Sequence, residues 1–222
     1  ALYLSLSFFR FHELMAYIVP STCWSLFALI TLYICGFEKI RSWFSKPTTI
    51  MAMLIAALQI TLLIFSSFFM GFGRSPYQHT PTAIMINMAY FLSALLGLEL
   101  SRAYLIKSCP RRKIFTGMVL TALLYTFLTF PLTKFLTLGE LVKTVKFVGS
   151  ELLPTLAQSL LATYLALLGG PIASIAYLGG LEAFEWLSPI LPNPPWAVKA
   201  LITTFTPIAG VMLINEMISP IE

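Results

Sequence analysis

Long apolar runs separated by short polar loops fill most of this chain. A transmembrane helix needs about 20 apolar residues to cross a hydrocarbon core of about 30 Å. Five uninterrupted runs approach or reach that length, and one further run is broken by a Gly-Gly-Pro sequence. The predicted spans are 14–36, 49–72, 82–106, 114–131, 197–215 and the interrupted 152–177. Residues 1–11 are also apolar and are compatible with the end of a further span.

The sixth run is interrupted at Gly169, Gly170 and Pro171. Two glycines add backbone freedom and a proline removes a hydrogen-bond donor, so this sequence predicts a helix break. Residues 181–196 then follow, rich in tryptophan and proline. Tryptophan prefers the headgroup level of a bilayer, and closely spaced prolines prevent a helix. The pattern predicts an interfacial connector, marked by Trp186, Pro189, Pro192 and Trp196.

Composition supports lipid as the solvent for these runs. Of 222 residues, 58% are apolar and 10% are charged, and the mean hydropathy is +0.87; soluble domains carry roughly 25% charged residues. The sequence therefore predicts an all-α, polytopic transmembrane helix bundle of five to six spans, with residues 1–222 forming a single transmembrane domain. The net charge of +5 lies in short clusters, which argues against a nucleic-acid partner.

The distribution of basic residues predicts an orientation in a cell membrane. Lysine and arginine cluster in residues 37–48 and 107–113, whereas residues 73–81 contain only Arg74. Because cytoplasmic loops carry an excess of Lys and Arg, the two basic loops are expected in the cytoplasm and the third loop outside. The side of the C-terminus depends on how the chain passes the Gly-Gly-Pro break.

Polar residues within the spans are the candidate functional residues. Glu99 and Arg102 are three positions apart, so they share a helix face and can pair. Ionisable residues in a span are functional candidates, but these two also lie near the predicted cytoplasmic end, where an interfacial ion pair would serve packing alone. Asn87, Gln59 and Gln158 fit hydrogen bonds between helices or parts of a polar pathway.

The residue inventory contains no recognisable catalytic constellation. All nine acidic residues are Glu and there are only two histidines, His12 and His79, so a Ser-His-Asp triad is excluded for this sequence. No metal-ligand spacing and no glycine-rich phosphate loop occur. No catalytic, cofactor-binding or metal residue is assigned. Glu182 and Glu185 fit either an acidic site or the solvent-facing side of an interfacial helix.

One segment resembles a known family. Residues 177–213 contain Ser188-Pro189-Ile190-Leu191-Pro192, then Trp196, then Thr206-Pro207-Ile208. This order resembles a segment of multi-pass archaeal and clostridial type I signal peptidases, in which several membrane helices precede the catalytic module. The family's Ser-Gly-Ser-Met nucleophile motif does not occur here. The resemblance therefore implies the accessory membrane region of such a protein, with a serine endopeptidase module expected beyond Glu222.

Three functions remain as hypotheses from the sequence. The first is an integral membrane scaffold of a signal-peptidase-like protein in protein secretion. The second is a non-catalytic subunit that contacts other membrane proteins. The third is a small transporter or channel, in which the broken helix at Gly169–Pro171 lies at mid-membrane and faces a polar cavity near Glu99 or Gln158.

Overall fold

The computed structural model describes residues 2–130, 134 and 141–218, and the side chains of residues 18–130, 134 and 141–217. The predicted all-α bundle is confirmed: five helical stretches are long and apolar enough to span a membrane. The helices are α1 (Leu2–Cys35), α2 (Phe37–Ser42), α3 (Lys46–Met70), α4 (Pro81–Lys107), α5 (Ile114–Thr129), α6 (Leu141–Phe147), α7 (Leu153–Leu187) and α8 (Trp196–Ile218). Two short strands, β1 (Phe72–Arg74) and β2 (Ile190–Pro192), pair in antiparallel fashion.

The first helix differs from the predicted span of 14–36. Residues 1–11 were compatible with a separate span, but α1 runs without interruption from Leu2 to Cys35. At 1.5 Å per residue its 34 residues measure about 50 Å. The helix is therefore longer than the hydrocarbon core it has to cross.

The bundle has two ends, which we name by their loops. The basic end contains residues 36–45 and 108–113, and Lys107 Nζ lies 5.8 Å from the Trp43 ring there. The sheet end contains residues 71–80 and 188–195, joined by the β1–β2 pairing. Helices α1 and α4 both run toward the basic end, with Gly97 packed closely on Trp24.

Helix α7 is a hairpin rather than one straight span. Its only non-helical residue is Gly170, with φ 70° and ψ −169°, a region of backbone conformation that essentially only glycine adopts. The residue packs against Trp43 at the basic end. Pro154, near the start of α7, lines the same cavity as Leu191, just beyond its end. Residues 153–169 and 171–187 therefore form two antiparallel arms whose ends both lie at the sheet end.

This hairpin corrects two boundaries from the sequence. The interrupted helix was predicted to end at residue 177, but its second arm continues to Leu187. Residues 181–187 were assigned to the interfacial connector and are helical. Only residues 188–195 form the connector, where β2 pairs with β1 and Ser75 N donates to Pro189 O at 3.1 Å. Trp186 lies in the last turn of the second arm, stacked on Tyr77 with ring centroids 4.0 Å apart.

The α7 hairpin is the centre of the bundle. In the apolar 18-residue segment within Leu141–Leu187, 61% of the residues are buried, compared with at most 39% in the corresponding segments of the other spans. Leu161 and Leu165 of the first arm and Ala173 and Tyr177 of the second pack with Ala52, Ile55 and Ala56 of α3. Small residues allow this close approach, which favours van der Waals packing between helices in a membrane.

Helix α8 completes the bundle and defines the position of the C-terminal region. It begins at Trp196 beside the connector. Gly210 packs on Ile55 and Leu161, and the Tyr164 hydroxyl lies 3.5 Å from Asn215 Oδ1. Because Gly170, six residues beyond Tyr164, lies at the basic end, α8 runs from the sheet end to the basic end.

We expect Gly170→Ala to destabilise the hairpin. A Cβ at this position would lie 2.8 Å from Trp43 Cβ and would force alanine into a conformation reserved for glycine, at a cost of about 1–3 kcal/mol. Unfolding by SDS in mixed micelles, followed by circular dichroism, measures the change.

Gly180→Ala is the matched control on the same helix. Its added Cβ would meet Ala56 at 3.4 Å, an ordinary contact, at a negative φ. Equal losses of stability in the two variants would contradict the role assigned to Gly170.

Candidate functional site

A polar cavity of about 440 Å³ lies between α3, α4, α5, α8 and both arms of α7. Four of the five polar residues singled out within the spans line it: Gln59, Glu99, Arg102 and Gln158. Asn87 is buried on α4 but lies outside the cavity. The fold therefore collects polar residues from three separate spans in one place.

Glu99 and Arg102 form a buried ion pair at the deep end of this cavity. Arg102 Nε donates to Glu99 Oε1 at 3.1 Å and lies 3.1 Å from Oε2. The two residues are only 1% and 4% exposed, so neither side chain extends to the surface of the bundle. Helix geometry places Glu99 about 12 Å from the end of α4 at Lys107.

The Arg102 guanidinium also joins α4 to the first arm of α7 and to α5. Nη1 donates to Ser159 O at 3.0 Å, to Ser159 Oγ at 2.9 Å and to Thr163 Oγ1 at 3.1 Å. Its Cζ lies 4.3 Å from the centroid of the Tyr125 ring. The Ser159 hydroxyl donates in turn to Ala122 O at 2.9 Å. One buried cation therefore connects three helices.

One oxygen of the Glu99 carboxylate makes an ion-pair contact but no hydrogen bond. Oε2 is buried, lies 3.1 Å from Arg102 Nε and accepts no hydrogen bond from any described residue. A carboxylate oxygen prefers hydrogen-bond donors, and leaving a buried acceptor unpaired is unfavourable. Because Glu99 lines the cavity, a donor inside the cavity can reach this oxygen.

Further acidic residues line the cavity nearer the sheet end. Glu182 and Glu185 lie on the second arm of α7, and Glu151 lies just before the first arm, paired with Lys134. Since 182 and 185 are three positions apart on a helix, they share the face directed to the cavity. Of the two alternatives from the sequence, this position on a bundle helix fits an acidic site better than a separate interfacial helix.

Lys199 is a cavity residue that the sequence analysis missed. It lies in the first turn of α8 and lines the same cavity as Glu185. Its sequence environment, an isolated lysine in the first turn of the predicted span 197–215, is typical of an interfacial anchor. Only the return of α7 to the sheet end brings Lys199 opposite Glu182 and Glu185.

Gln59 is fixed by the hairpin as well. Its Oε1 accepts a hydrogen bond from the Tyr177 hydroxyl at 3.0 Å, and both residues are almost completely buried. This bond joins α3 to the second arm of α7. The amide nitrogen of Gln59 is left as a possible donor to the cavity.

The Gly169–Pro171 break does not contribute to this site. It lies at the basic end, where Gly169 packs on Thr48 and Gly170 on Trp43. None of the three residues lines the polar cavity. The specific expectation that the break lies at mid-membrane and exposes backbone groups to a polar cavity is wrong, because the break is a buried turn.

The cavity lining combines mostly apolar surface with a small number of polar and charged side chains. Among the described side chains, no three of the His, Cys and Glu residues come together as a group that could hold a metal ion. The lining offers carboxylates, amides and hydroxyls in a partly enclosed space, the usual composition of a small-molecule site. No protein-family model, curated protein or solved structure matches this chain.

We expect Arg102→Met to destabilise the protein by about 3–5 kcal/mol, because it leaves the buried Glu99 carboxylate without its counter-charge. SDS unfolding in mixed micelles measures the loss.

The double variant Glu99→Leu/Arg102→Met should recover most of that stability. Replacement of a whole buried ion pair by apolar residues is often neutral, and the Ser159 and Thr163 hydroxyls keep their own carbonyl acceptors. A double variant as unstable as Arg102→Met would show that the loss does not come from the uncompensated carboxylate.

Proposed function

We propose that this integral membrane protein binds a small organic cation in the cavity between α4, α5, α7 and α8, as the recognition step of a transporter. The observation that carries the proposal is the buried Glu99 carboxylate in the cavity lining, whose Oε2 has the Arg102 ion pair as a contact but accepts no hydrogen bond from a described residue. A protonated amine or a guanidinium supplies both the donor and the positive charge that this oxygen favours.

The charge of the lining supports a cation. Glu99, Glu151, Glu182 and Glu185 face the cavity against Arg102 and Lys199, which leaves two formal negative charges in excess. One excess charge remains when Lys134, the partner of Glu151, is included. A low-dielectric, partly enclosed site strengthens the attraction of such a lining for a cation.

The shape of the cavity supports a site that opens at one end. Its lining includes exposed residues at the sheet end, among them Glu185 and Lys199. On the other side of Glu99 the interior is filled by Ala103, Ile106 and Ala166, which are completely buried. A site open to one side and closed to the other is the arrangement that alternating access requires.

We expect butylammonium and spermidine to raise the unfolding temperature of the detergent-purified protein, whereas butan-1-ol and butyrate do not. Butylammonium, butan-1-ol and butyrate each contain four carbon atoms and carry a cationic, a neutral and an anionic head group, so the comparison tests the requirement for a positive charge. A ligand at 100 times its Kd adds about 2.7 kcal/mol to the free energy of unfolding. The dependence of the shift on ligand concentration gives the affinity.

Glu182→Gln should weaken cation binding about ten-fold, a change of about 1.4 kcal/mol, because it removes a cavity charge. Glu216→Gln is the control, since Glu216 is exposed on α8 and does not line the cavity. Equal stabilisation by butan-1-ol and butylammonium, or equal weakening in both variants, would refute the proposal.

A second candidate is the scaffold suggested by the resemblance to signal peptidases. The connector of residues 188–195 is held by the β1–β2 pairing and by the Tyr77–Trp186 stack. This arrangement suits a rigid platform for an extracytoplasmic module at the bilayer surface. The candidate requires the sheet end to lie outside the cell, in agreement with the positive-inside expectation for the basic end.

Cysteine labelling tests this orientation. In a background without Cys23, Cys35 and Cys109, we expect Asn193→Cys to react with a membrane-impermeant maleimide on intact cells. Both Asn193 and the control position Arg111 are exposed, at opposite ends of the bundle. Arg111→Cys should react only after permeabilisation, and the reverse pattern would exclude an extracytoplasmic platform.

A further inference from the structure

A second hollow of about 480 Å³ lies on the lateral surface at the basic end. It is formed by α1, α2, α4 and the beginning of the second arm of α7. Its floor consists of the buried residues Ile40, Leu100 and Pro171, and its rim includes the exposed Phe37, Leu96 and Ile172. It is separate from the polar cavity and shares no residue with it.

The lining of this hollow excludes water as its natural occupant. Except for Arg41, every residue that lines it is apolar, and an apolar hollow offers a water molecule no partners. The exposed rim residues Leu96 and Ile172 belong to spans, whose exposed apolar side chains are expected to face lipid, and Phe37 lies on α2 beside them. A hydrocarbon chain from the bilayer fits both the chemistry and the location of this surface.

Arg41 gives this hollow a preference for negatively charged groups. It lies on the short helix α2 at the basic end, is exposed and lines the hollow. Among the described side chains, none of the glutamates lies within ion-pair distance of it. A guanidinium at the headgroup level can bind a phosphate in bidentate fashion, and basic pockets between transmembrane helices are typical sites for anionic lipid headgroups.

We propose that this hollow is a binding site for one anionic phospholipid, with an acyl chain against Ile40, Leu100 and Pro171 and the phosphate bound by Arg41. The Gly170 turn is part of the site, because it places Pro171 and Ile172 beside α2. The bound lipid thereby connects α1 and α2 to the tip of the α7 hairpin. This site is independent of the function proposed for the polar cavity.

Native mass spectrometry of the detergent-purified protein tests the proposal. The protein is incubated with mixed micelles containing either phosphatidylglycerol or phosphatidylcholine with identical acyl chains. We expect one tightly retained phosphatidylglycerol, preferred over phosphatidylcholine by about five-fold, the factor for one basic residue at an anionic surface. Equal retention of the two lipids by the wild-type protein would overturn the proposal.

Three variants assign the effect to the hollow. Arg41→Gln should abolish the preference for phosphatidylglycerol, whereas Arg111→Gln, which alters an exposed arginine at the same end but outside the hollow, should preserve it. Ile172→Trp should reduce retention of both lipids, because its side chain fills the space. An unchanged preference in Arg41→Gln would refute the headgroup assignment. A dimer that Ile172→Trp dissociates, with lipid retention unchanged, would identify a second copy as the occupant instead.

Discussion

The packing of the interior depends on the ion pair and the hydrogen bonds of the Arg102 guanidinium. A guanidinium taken out of water is unfavourable unless its charge and its donors are satisfied. Here Glu99 provides the counter-charge, while Ser159 and Thr163 of the first α7 arm provide acceptors and Tyr125 of α5 provides a ring face. The position of α4 is therefore coupled to those of α5 and α7, and the polar cavity exists because these helices meet around a charge.

The second constraint is the reversal at Gly170. Without it, α7 would be a helix of 35 residues, about 50 Å long, and Glu182 and Glu185 would lie far from Glu99. The turn folds the helix back on itself, and the Tyr177–Gln59 hydrogen bond fixes the second arm against α3. The reversal that folds α7 into a hairpin therefore also brings together the residues that line the cavity.

Composition and periodicity were sufficient for the coarse structure. Long apolar runs predict membrane helices because an unpaired peptide group in lipid is so unfavourable, and the fold class follows from this alone. The pairing of Glu99 with Arg102 was also readable, because residues three apart on a helix are neighbours. The resemblance to signal peptidases concerns a connector whose strand pairing is now described, and its functional meaning stays a prediction.

The sequence did not indicate the direction of the chain after the Gly169–Pro171 break. A kinked span and a complete reversal share the sequence Gly169-Gly170-Pro171, and they differ by the backbone angles of one residue. Because of that ambiguity, the sequence left open whether Glu182 and Glu185 form an acidic site or face solvent on an interfacial helix. The nearby prolines favoured the interfacial alternative, although they follow the helix rather than interrupt it, and Trp186 lies within its last turn. Lys199 was missed because its significance depends on Glu182 and Glu185, which line the same cavity from another helix.

The pairing of β1 with β2 has a consequence for how the cavity can change its width. Three residue pairs fasten the exit of α3 to the segment that leads into α8, and the Tyr77–Trp186 stack adds the end of α7 to the same assembly. These contacts hold that side of the cavity mouth in a fixed position. Helix α5 ends at the mouth beside Phe130 and takes no part in the strand pairing. A change in the width of the mouth is therefore expected to come from a displacement of α5.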